Sequence, residues 1–273
     1  MKMNNNVTNQ WQFDPFFQQP VHTREMTEGS MNLPAKYFDA SGLLAFFMVD
    51  YDKAVSVVTS DKVKVAKLIG NKALVSLACY DYRELTDGVP YHEVGTAVLV
   101  YPANQEAPSH PLVDMTLPPD RRNTGIWICD LPVGTKEACQ AGKELWGYPK
   151  FVTTIDFSLG NKQFNCSVKN PTDDTISLVT LSGNIGTAVT APWGDLVLYS
   201  ELDSKLVRAT ADTRTLDGAK VATKGDLTLK VDPTNSHPMA ERLNKLGLDG
   251  AQPMSVTFTE SLQLRLNEGV FFE

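Results

Sequence analysis

The sequence carries less positive than negative charge, and this limits the partners that it can bind. Its 25 lysines and arginines stand against 32 aspartates and glutamates, which gives a formal net charge of −7 over 273 residues. No cluster of lysines and arginines offsets this balance. Because neutralising phosphates requires a basic face, the composition argues against a nucleic-acid-binding protein.

Long apolar segments are also lacking. The apolar segment Gly42–Val49 is far shorter than the about 20 residues that a membrane-spanning helix needs. The first residues of the chain are polar and lack the apolar core of a secretory signal. We therefore expect a cytoplasmic protein without a membrane partner.

Cysteine and histidine are scarce, and their spacing matches no metal site. The four cysteines show no Cys-x-x-Cys pattern and the four histidines no His-x-x-x-His pattern, so neither a disulfide framework nor a metal ion is predicted. The sequence also lacks a Gly-x-Ser-x-Gly elbow, a phosphate-binding glycine loop and a dinucleotide fingerprint. We therefore predict no cofactor.

The sequence does contain many short segments in which apolar and polar residues alternate. The clearest are residues 155–159 and 164–168, which flank the two-residue turn Gly160-Asn161 and predict a β-hairpin. Pro238–Leu246 has apolar residues at helical spacing, and Gly247 would end that helix. Repeated strands with few helices favour a β-rich α+β fold.

Three further segments have weaker patterns. Asp52–Val58 predicts a short helix, and Thr135 could cap another helix over Lys136–Ala141. Residues 102–124 carry five prolines, which argue against a regular strand or helix. Long proline-rich loops in compact domains are often lids or oligomer contacts.

We divide the chain into an arm and one domain. Residues 1–34 are rich in Asn, Gln and Thr and predict an irregular arm, which either packs on a neighbouring subunit or is disordered at its start. The arm's aromatic residues are Trp11, Phe13, Phe16 and Phe17. Residues 35–273 would form a single domain, because β-rich folds reach this size as one unit.

The most informative stretch runs from Gly142 to Phe151 and contains Lys150. Pro149 fixes its own φ and disfavours helix at the residue before it, so Lys150 should follow a stiff, non-helical backbone. Aromatic residues flank the lysine on both sides. Apolar surroundings favour the uncharged amine, which is a nucleophile towards ketones.

Two motifs resemble those of the acetoacetate decarboxylase family. Residues 142–150 read Gly-Lys-Glu-Leu-Trp-Gly-Tyr-Pro-Lys, similar to that family's Gly-Arg-Glu-Leu-x-x-Tyr-Pro-Lys signature, whose last lysine forms a Schiff base. Upstream, Tyr91-His92-Glu93-Val94-Gly95 resembles the family's Tyr-x-Glu-x-Gly segment, whose glutamate lies in the active site. The resemblance implies a cone-shaped, partly open β-barrel with a few flanking helices, and it implies a homo-oligomer.

By the same resemblance, Lys150 would be the nucleophile and Glu93 the acid and base. Four neighbours in the two motifs are expected to contact substrate: Tyr91, Glu144, Trp146 and Tyr148. Glu144 could instead orient its loop by hydrogen bonds.

The sequence departs from the family pattern in four places. Phe151 replaces a second lysine after the nucleophile, and Lys143 replaces the motif arginine. The best register puts Ala40 where the family has an arginine for the substrate carboxylate, and Ala78 where it has a further glutamate. Arg83, Arg121 or Arg122 could replace the missing arginine; of these, we select Arg83 as a substrate-binding candidate.

We interpret the sequence as that of a cofactor-independent lyase acting on a small β-keto acid through a Schiff base. The altered carboxylate apparatus leaves two alternatives open. One is aldolase-type or dehydratase-type chemistry on a keto acid through the same lysine. The other is a family member that binds a small molecule without catalysis.

Overall fold

The computed structural model describes residues 10–160, 162–223 and 225–272. Within these ranges the chain forms eighteen β-strands, four α-helices and three 3-10 helices. The strands are β1 (His22–Glu25), β2 (Ser30–Leu33), β3 (Ala35–Asp50), β4 (Val63–Val65), β5 (Lys72–Leu85), β6 (Tyr91–Pro102), β7 (Gly125–Val133), β8 (Lys150–Val152), β9 (Ile155–Gly160), β10 (Gln163–Asn170), β11 (Asp173–Asn184), β12 (Ala188–Ala191), β13 (Leu196–Leu202), β14 (Lys205–Thr215), β15 (Ala219–Ala222), β16 (Thr228–Val231), β17 (Ser255–Leu266) and β18 (Val270–Phe271). The α-helices are α1 (Tyr51–Val55), α2 (Pro111–Asp114), α3 (Lys136–Trp146) and α4 (Pro238–Leu246), and the 3-10 helices are Gln10–Phe13, Pro15–Phe17 and Pro119–Arg121.

Seven of these strands form a barrel. They pair in the order β17-β3-β5-β6-β7-β13-β14, with β7 and β13 parallel and the other neighbours antiparallel. A further pairing of β14 with β17 closes the ring. The predicted β-rich α+β barrel with few helices is therefore confirmed, and the ring is closed where the resemblance implied a partly open one.

The hydrophobic core has two main parts, one on each face of the barrel wall. On β5, Ser76, Ala78, Tyr80 and Tyr82 face the barrel interior. The alternate residues, from Ala73 to Cys79, pack towards a second sheet of order β16-β11-β10-β9. Because successive strand residues point to opposite faces, one strand contributes to both parts of the core.

Most predicted elements are present, with different bounds. The hairpin forms as β9 and β10, but Gly160 is the last residue of β9 and pairs with Gln163 instead of lying in the turn, and Asn161 lies outside the described residues. The helix Pro238–Leu246 begins and ends where predicted. Helix α1 ends at Val55 rather than Val58, and one helical turn, α2, occurs inside the proline-rich segment with Pro111 at its first position. None of the helices in the described ranges is long and apolar enough to cross a membrane.

The described part of the N-terminal arm packs on the chain's own barrel. Phe17 is buried and its ring lies 4.8 Å from that of Phe38 on β3. Asp14 forms an ion pair with Arg214 of β14. Packing of the arm on a neighbouring subunit stays a prediction, and Phe13 is 85% exposed in the single chain. The first nine residues lie outside the described ranges.

An ion pair between a buried carboxylate and a half-buried arginine attaches helix α4 to the barrel. Asp130 of β7 is 2% exposed, and Arg242 of α4 donates from both Nε (3.0 Å) and Nη2 to its carboxylate. Thr96 Oγ1 also donates to Asp130, at 2.9 Å. The carboxylate thus has three donors and no solvent, and the arginine is its only cationic partner here among the described residues.

We predict that Arg242→Met lowers the free energy of unfolding by about 3 kcal/mol, because it leaves a buried carboxylate without its counter-ion. Urea denaturation measures this change. Lys72→Met is the matched control, since it removes the exposed Lys72–Asp50 pair and should cost less than about 1 kcal/mol. Equal losses in the two variants would contradict a special role for the Arg242–Asp130 pair.

Candidate active site

The end of helix α3 determines the backbone conformation that leads to Lys150. The helix continues to Trp146, five residues beyond its predicted end, and stops at Gly147 in the left-handed conformation with φ 67°. A Cβ at position 147 would lie 2.2 Å from the backbone oxygen of Glu201, so only glycine fits there. Lys150 then opens β8, opposite Leu131 of β7. The predicted non-helical presentation of Lys150 is confirmed.

Lys150 and Glu93 form a buried ion pair. Lys150 Nζ lies 2.7 Å from Glu93 Oε2, and each residue is 8% exposed. Glu93 is the third residue of β6, where it pairs with Tyr80 of β5. At this distance the carboxylate can accept a proton from the amine directly.

Tyrosine hydroxyl groups surround the pair. Tyr82 Oη donates to Glu93 Oε1 at 3.3 Å, and the hydroxyls of Tyr37 and Tyr91 lie 3.0 Å apart. Burial, and next the charge of Glu93, raises the pKa of Tyr82 well above its usual value. Burial is also the largest cause of the raised pKa of Tyr91. These phenols therefore remain protonated and able to donate hydrogen bonds where free tyrosine would ionise.

The ion pair lies at the wall of an apolar inner cavity of about 80 Å³ inside the barrel. Aliphatic and aromatic side chains make up most of its lining. Among the described residues that line it, Glu93 and Lys150 carry the only charges. Water is thus largely excluded from the amine, and the cavity is neutral overall.

A second space, which we call the outer cleft, also adjoins Lys150. It has a volume of about 280 Å³ and lies between the β1–β2 hairpin and helix α3. Tyr37, Lys150 and Leu266 line both spaces. Lys150 therefore lies at the boundary between the inner cavity and the outer cleft.

Three of the four neighbours expected to contact substrate lie near the lysine. Tyr148 is 3% exposed and lines the inner cavity, whereas Tyr91 and Trp146 line the outer cleft. Trp146 donates from Nε1 to the backbone oxygen of Asn267 at 2.9 Å, and its ring is parallel to that of Tyr148 at 6.0 Å. The indole of Trp146 therefore stacks on the ring of Tyr148.

The structure does not bring Glu144 or Arg83 into either space. Glu144 is on the exposed side of α3, where it accepts from the backbone N–H of Thr27 at 2.7 Å. This bond, with burial opposing it, lowers the pKa of Glu144. Glu144 thus connects α3 to the β1–β2 hairpin, as the alternative interpretation allowed.

Arg83 was selected from the sequence to hold the substrate carboxylate, and its position does not support that role. Its guanidinium donates to both carboxylate oxygens of Asp39, at 2.6 and 2.8 Å, and to Asp81 at 2.9 Å. The side chain thus has two carboxylate partners already. It lies outside the inner cavity because its position on β5 alternates with the inward-facing Tyr80 and Tyr82.

Phe151 faces away from Lys150. Its ring lies 4.7 Å from that of His237 and packs on the core between the barrel and the second sheet. The same alternation explains this, since adjacent strand residues point apart.

Two residues at the site could not be found from the sequence alone. Trp193 lines the inner cavity from the loop between β12 and β13, and no motif marks it. Gly142 lies in α3, and its absent side chain makes room for the lysine: a Cβ there would lie 2.4 Å from Lys150 Cδ and Cε. The lysine motif includes Gly142, but the sequence does not show that this residue packs against the Lys150 side chain.

We predict that Gly142→Ala displaces the Lys150 side chain from Glu93 and reduces imine formation at Lys150 at least about tenfold, because a misplaced catalytic group loses rate steeply. Borohydride trapping with a ketone, read by mass spectrometry, measures this. Gly160→Ala is the control, since a Cβ added there would have no neighbouring atom within 4 Å. Equal trapping in the two variants would show that the lysine tolerates the displacement.

Comparisons with known proteins agree with the fold. The acetoacetate decarboxylase (ADC) family model matches residues 18–258, while no curated protein matches the chain. A crystal structure of acetoacetate decarboxylase from Legionella pneumophila has a TM-score of 0.64 at 14% identity, covering 95% of this chain and 94% of that one. The enduracididine biosynthesis enzyme MppR, complexed with pyruvate, has a TM-score of 0.59 at 11% identity, covering 87% of this chain and 90% of the other. An acetoacetate decarboxylase-like enzyme from Sphingomonas wittichii RW1 has a TM-score of 0.57 at 12% identity, covering 88% and 92%. With the family model spanning most of the chain, from before the barrel to within β17, the protein belongs to the acetoacetate decarboxylase family.

Proposed function

We propose that the protein is a cofactor-independent lyase that decarboxylates a small β-keto acid through a Schiff base on Lys150. The observation that carries this proposal is the 2.7 Å pair of Lys150 and Glu93, buried at the wall of an apolar cavity. A lysine beside a carboxylate that can take its proton, shielded from water, is equipped to act as a nucleophile.

The reaction begins when Glu93 accepts a proton from Lys150, which frees the amine's lone pair. The amine attacks the ketone carbon, and the resulting carbinolamine loses water with a proton supplied by Glu93. The product is a protonated imine on Lys150. Its positive nitrogen is the electron sink for the next step.

The bond between the α-carbon and the carboxylate then breaks. Its electron pair moves into the imine, so carbon dioxide leaves and an enamine remains on Lys150. Protonation of the enamine carbon restores the imine, and water hydrolyses it to the product ketone and the free lysine. Glu93 is placed to move protons in these steps, and the tyrosine hydroxyls can hold the water.

Aldol-type chemistry through the same imine is the second candidate. The observation that supports it is a departure from the family pattern for acetoacetate, since the lining of the inner cavity contains no arginine among the described residues. MppR, one of the similar structures, is described as complexed with the condensation product of pyruvate and imidazole 4-carboxaldehyde. That enzyme shares 12% identity with this chain, so the comparison indicates which substrates to test rather than an activity.

We predict that acetoacetate or pyruvate, followed by borohydride, leaves a stable adduct on Lys150. Lys150→Arg should abolish the adduct, because a guanidinium does not lose its proton in a protein. Peptide mass spectrometry locates the labelled residue. Lys169→Arg is the control, since Lys169 pairs with Asp156 outside both spaces. Absence of labelling at Lys150 with every ketone tested would favour the non-catalytic alternative.

A second prediction concerns Glu93→Gln, which keeps the side-chain shape but cannot exchange a proton. Turnover of any keto acid that labels Lys150 should fall roughly a hundredfold or more, within the usual range for general acid–base catalysis. Release of carbon dioxide under saturating substrate measures this, with the exposed Glu241→Gln as control. Turnover of the Glu93 variant at the control's rate would exclude Glu93 as the acid and base.

A further inference from the structure

Two of the described residues that line the inner cavity carry a fully buried hydrogen-bond donor without a partner. Within the described ranges, Tyr148 Oη and Trp193 Nε1 are buried and make no hydrogen bond. Both residues line the cavity that Lys150 also lines, and they are 3% and 8% exposed. Since the cavity holds only about 80 Å³, a ligand bound to Lys150 would lie against its walls.

Unpartnered buried donors are rare in folded proteins, because each loses its hydrogen bonds to water on burial. The other indole near the lysine illustrates the contrast. Trp146 Nε1 has the backbone oxygen of Asn267 as its acceptor at 2.9 Å. The two donors in the cavity lack such an acceptor, which an incoming ligand can supply.

Both groups are able to donate a hydrogen bond in this setting. An indole N–H has no acceptor function. Burial, and then the nearby charge of Glu93, raises the pKa of Tyr148 well above its usual value, so its hydroxyl keeps its proton. A ligand group that accepts from both must therefore carry lone pairs, as a carboxylate does.

Packing holds Trp193 in place although its N–H is unbonded. Its Cη2 atom lies 2.9 Å from the position that a Cβ on residue 42 would take, so Gly42 leaves the space that the indole fills. Two residues on, the carboxylate of Asp195 accepts from the backbone N–H of Thr213 at 2.7 Å. The indole is thus positioned by the barrel and by its own loop.

We propose that Tyr148 and Trp193 form a neutral carboxylate site, the donor pair, which binds the acid group of the keto acid whose ketone condenses with Lys150. This inference rests on the proposed Schiff-base function. The donor pair takes the place of the arginine that the family pattern leads one to expect and that the cavity lining lacks. The small volume limits the substrate to a short acid.

Neutral donors suit the loss of carbon dioxide. The carboxylate's charge disappears as the bond breaks, so a cation bound to it would stabilise the starting state more than the transition state. Two uncharged donors still orient the carboxylate, but they stabilise the starting state less than a cation would. The same arrangement can also hold the carboxylate of a keto acid that undergoes aldol chemistry.

The test compares two ketones of nearly the same shape, acetoacetate and 4-methyl-2-pentanone, in which an isopropyl group replaces the carboxylate. Each is incubated with the full-length protein and borohydride, and the initial rate of Lys150 labelling is read by mass. For acetoacetate, the adducts before and after loss of carbon dioxide are added together. The measured quantity is the ratio of the acetoacetate rate to the 4-methyl-2-pentanone rate.

Tyr148→Phe and Trp193→Phe should each lower this ratio by about tenfold or more, the effect of losing one hydrogen bond to a charged group. Labelling by 4-methyl-2-pentanone should persist, and it reports that each variant is folded with its lysine intact. The controls are Tyr199→Phe and Trp127→Phe, two buried aromatic residues that do not line the cavity. Their ratios should equal that of the native protein.

The outcomes separate this inference from the proposed function. An unchanged ratio in either Tyr148→Phe or Trp193→Phe, with Lys150 still labelled, overturns the donor pair and leaves the Schiff-base function standing. A similar fall in the controls also overturns it, because the effect would then follow from packing alone. If neither ketone labels Lys150 in the native protein, the Schiff-base function itself is wrong.

Discussion

The buried pair of Lys150 and Glu93 is the interaction on which the site depends. Taking an ammonium or a carboxylate out of water alone is costly, and the cost is offset here because each has the other at 2.7 Å. Tyr82 adds a donor to the carboxylate. The pair therefore brings an amine and a carboxylate into an apolar interior as one unit without net charge.

Small residues create the space in which this pair forms. Gly147 ends helix α3 where a Cβ would meet the backbone of Glu201, and Gly142 leaves the volume that the lysine side chain fills. Both are local features of the segment before Lys150. Their effect on the site, however, depends on how that segment packs against the barrel strands. A change at either glycine is therefore expected to act on the lysine as well as on the helix.

Three arginines have carboxylate partners away from the inner cavity, whose lining contains no arginine among the described residues. Arg83 is paired with Asp39 and Asp81, Arg242 with Asp130, and Arg214 with Asp14. These pairs lie on the outer faces of the barrel wall or under the N-terminal arm, where they join elements to one another. Under the proposed function, recognition of an acidic substrate would fall to the uncharged residues that line the cavity, among which Tyr148 and Trp193 carry fully buried donors without a partner.

The sequence alone determined the features that depend on a few neighbouring residues. The hairpin of β9 and β10, the helix Pro238–Leu246 and the non-helical approach to Lys150 follow from alternating apolar residues, helical apolar spacing and Pro149. The motif resemblance also implies that Glu93 and Lys150 act together. Only the tertiary structure decided that Arg83 faces outwards and that Trp193 enters the cavity. The reason is physical: backbone preferences act over a few residues, whereas side-chain partners depend on strand register and on the pairing of β14 with β17 that closes the barrel.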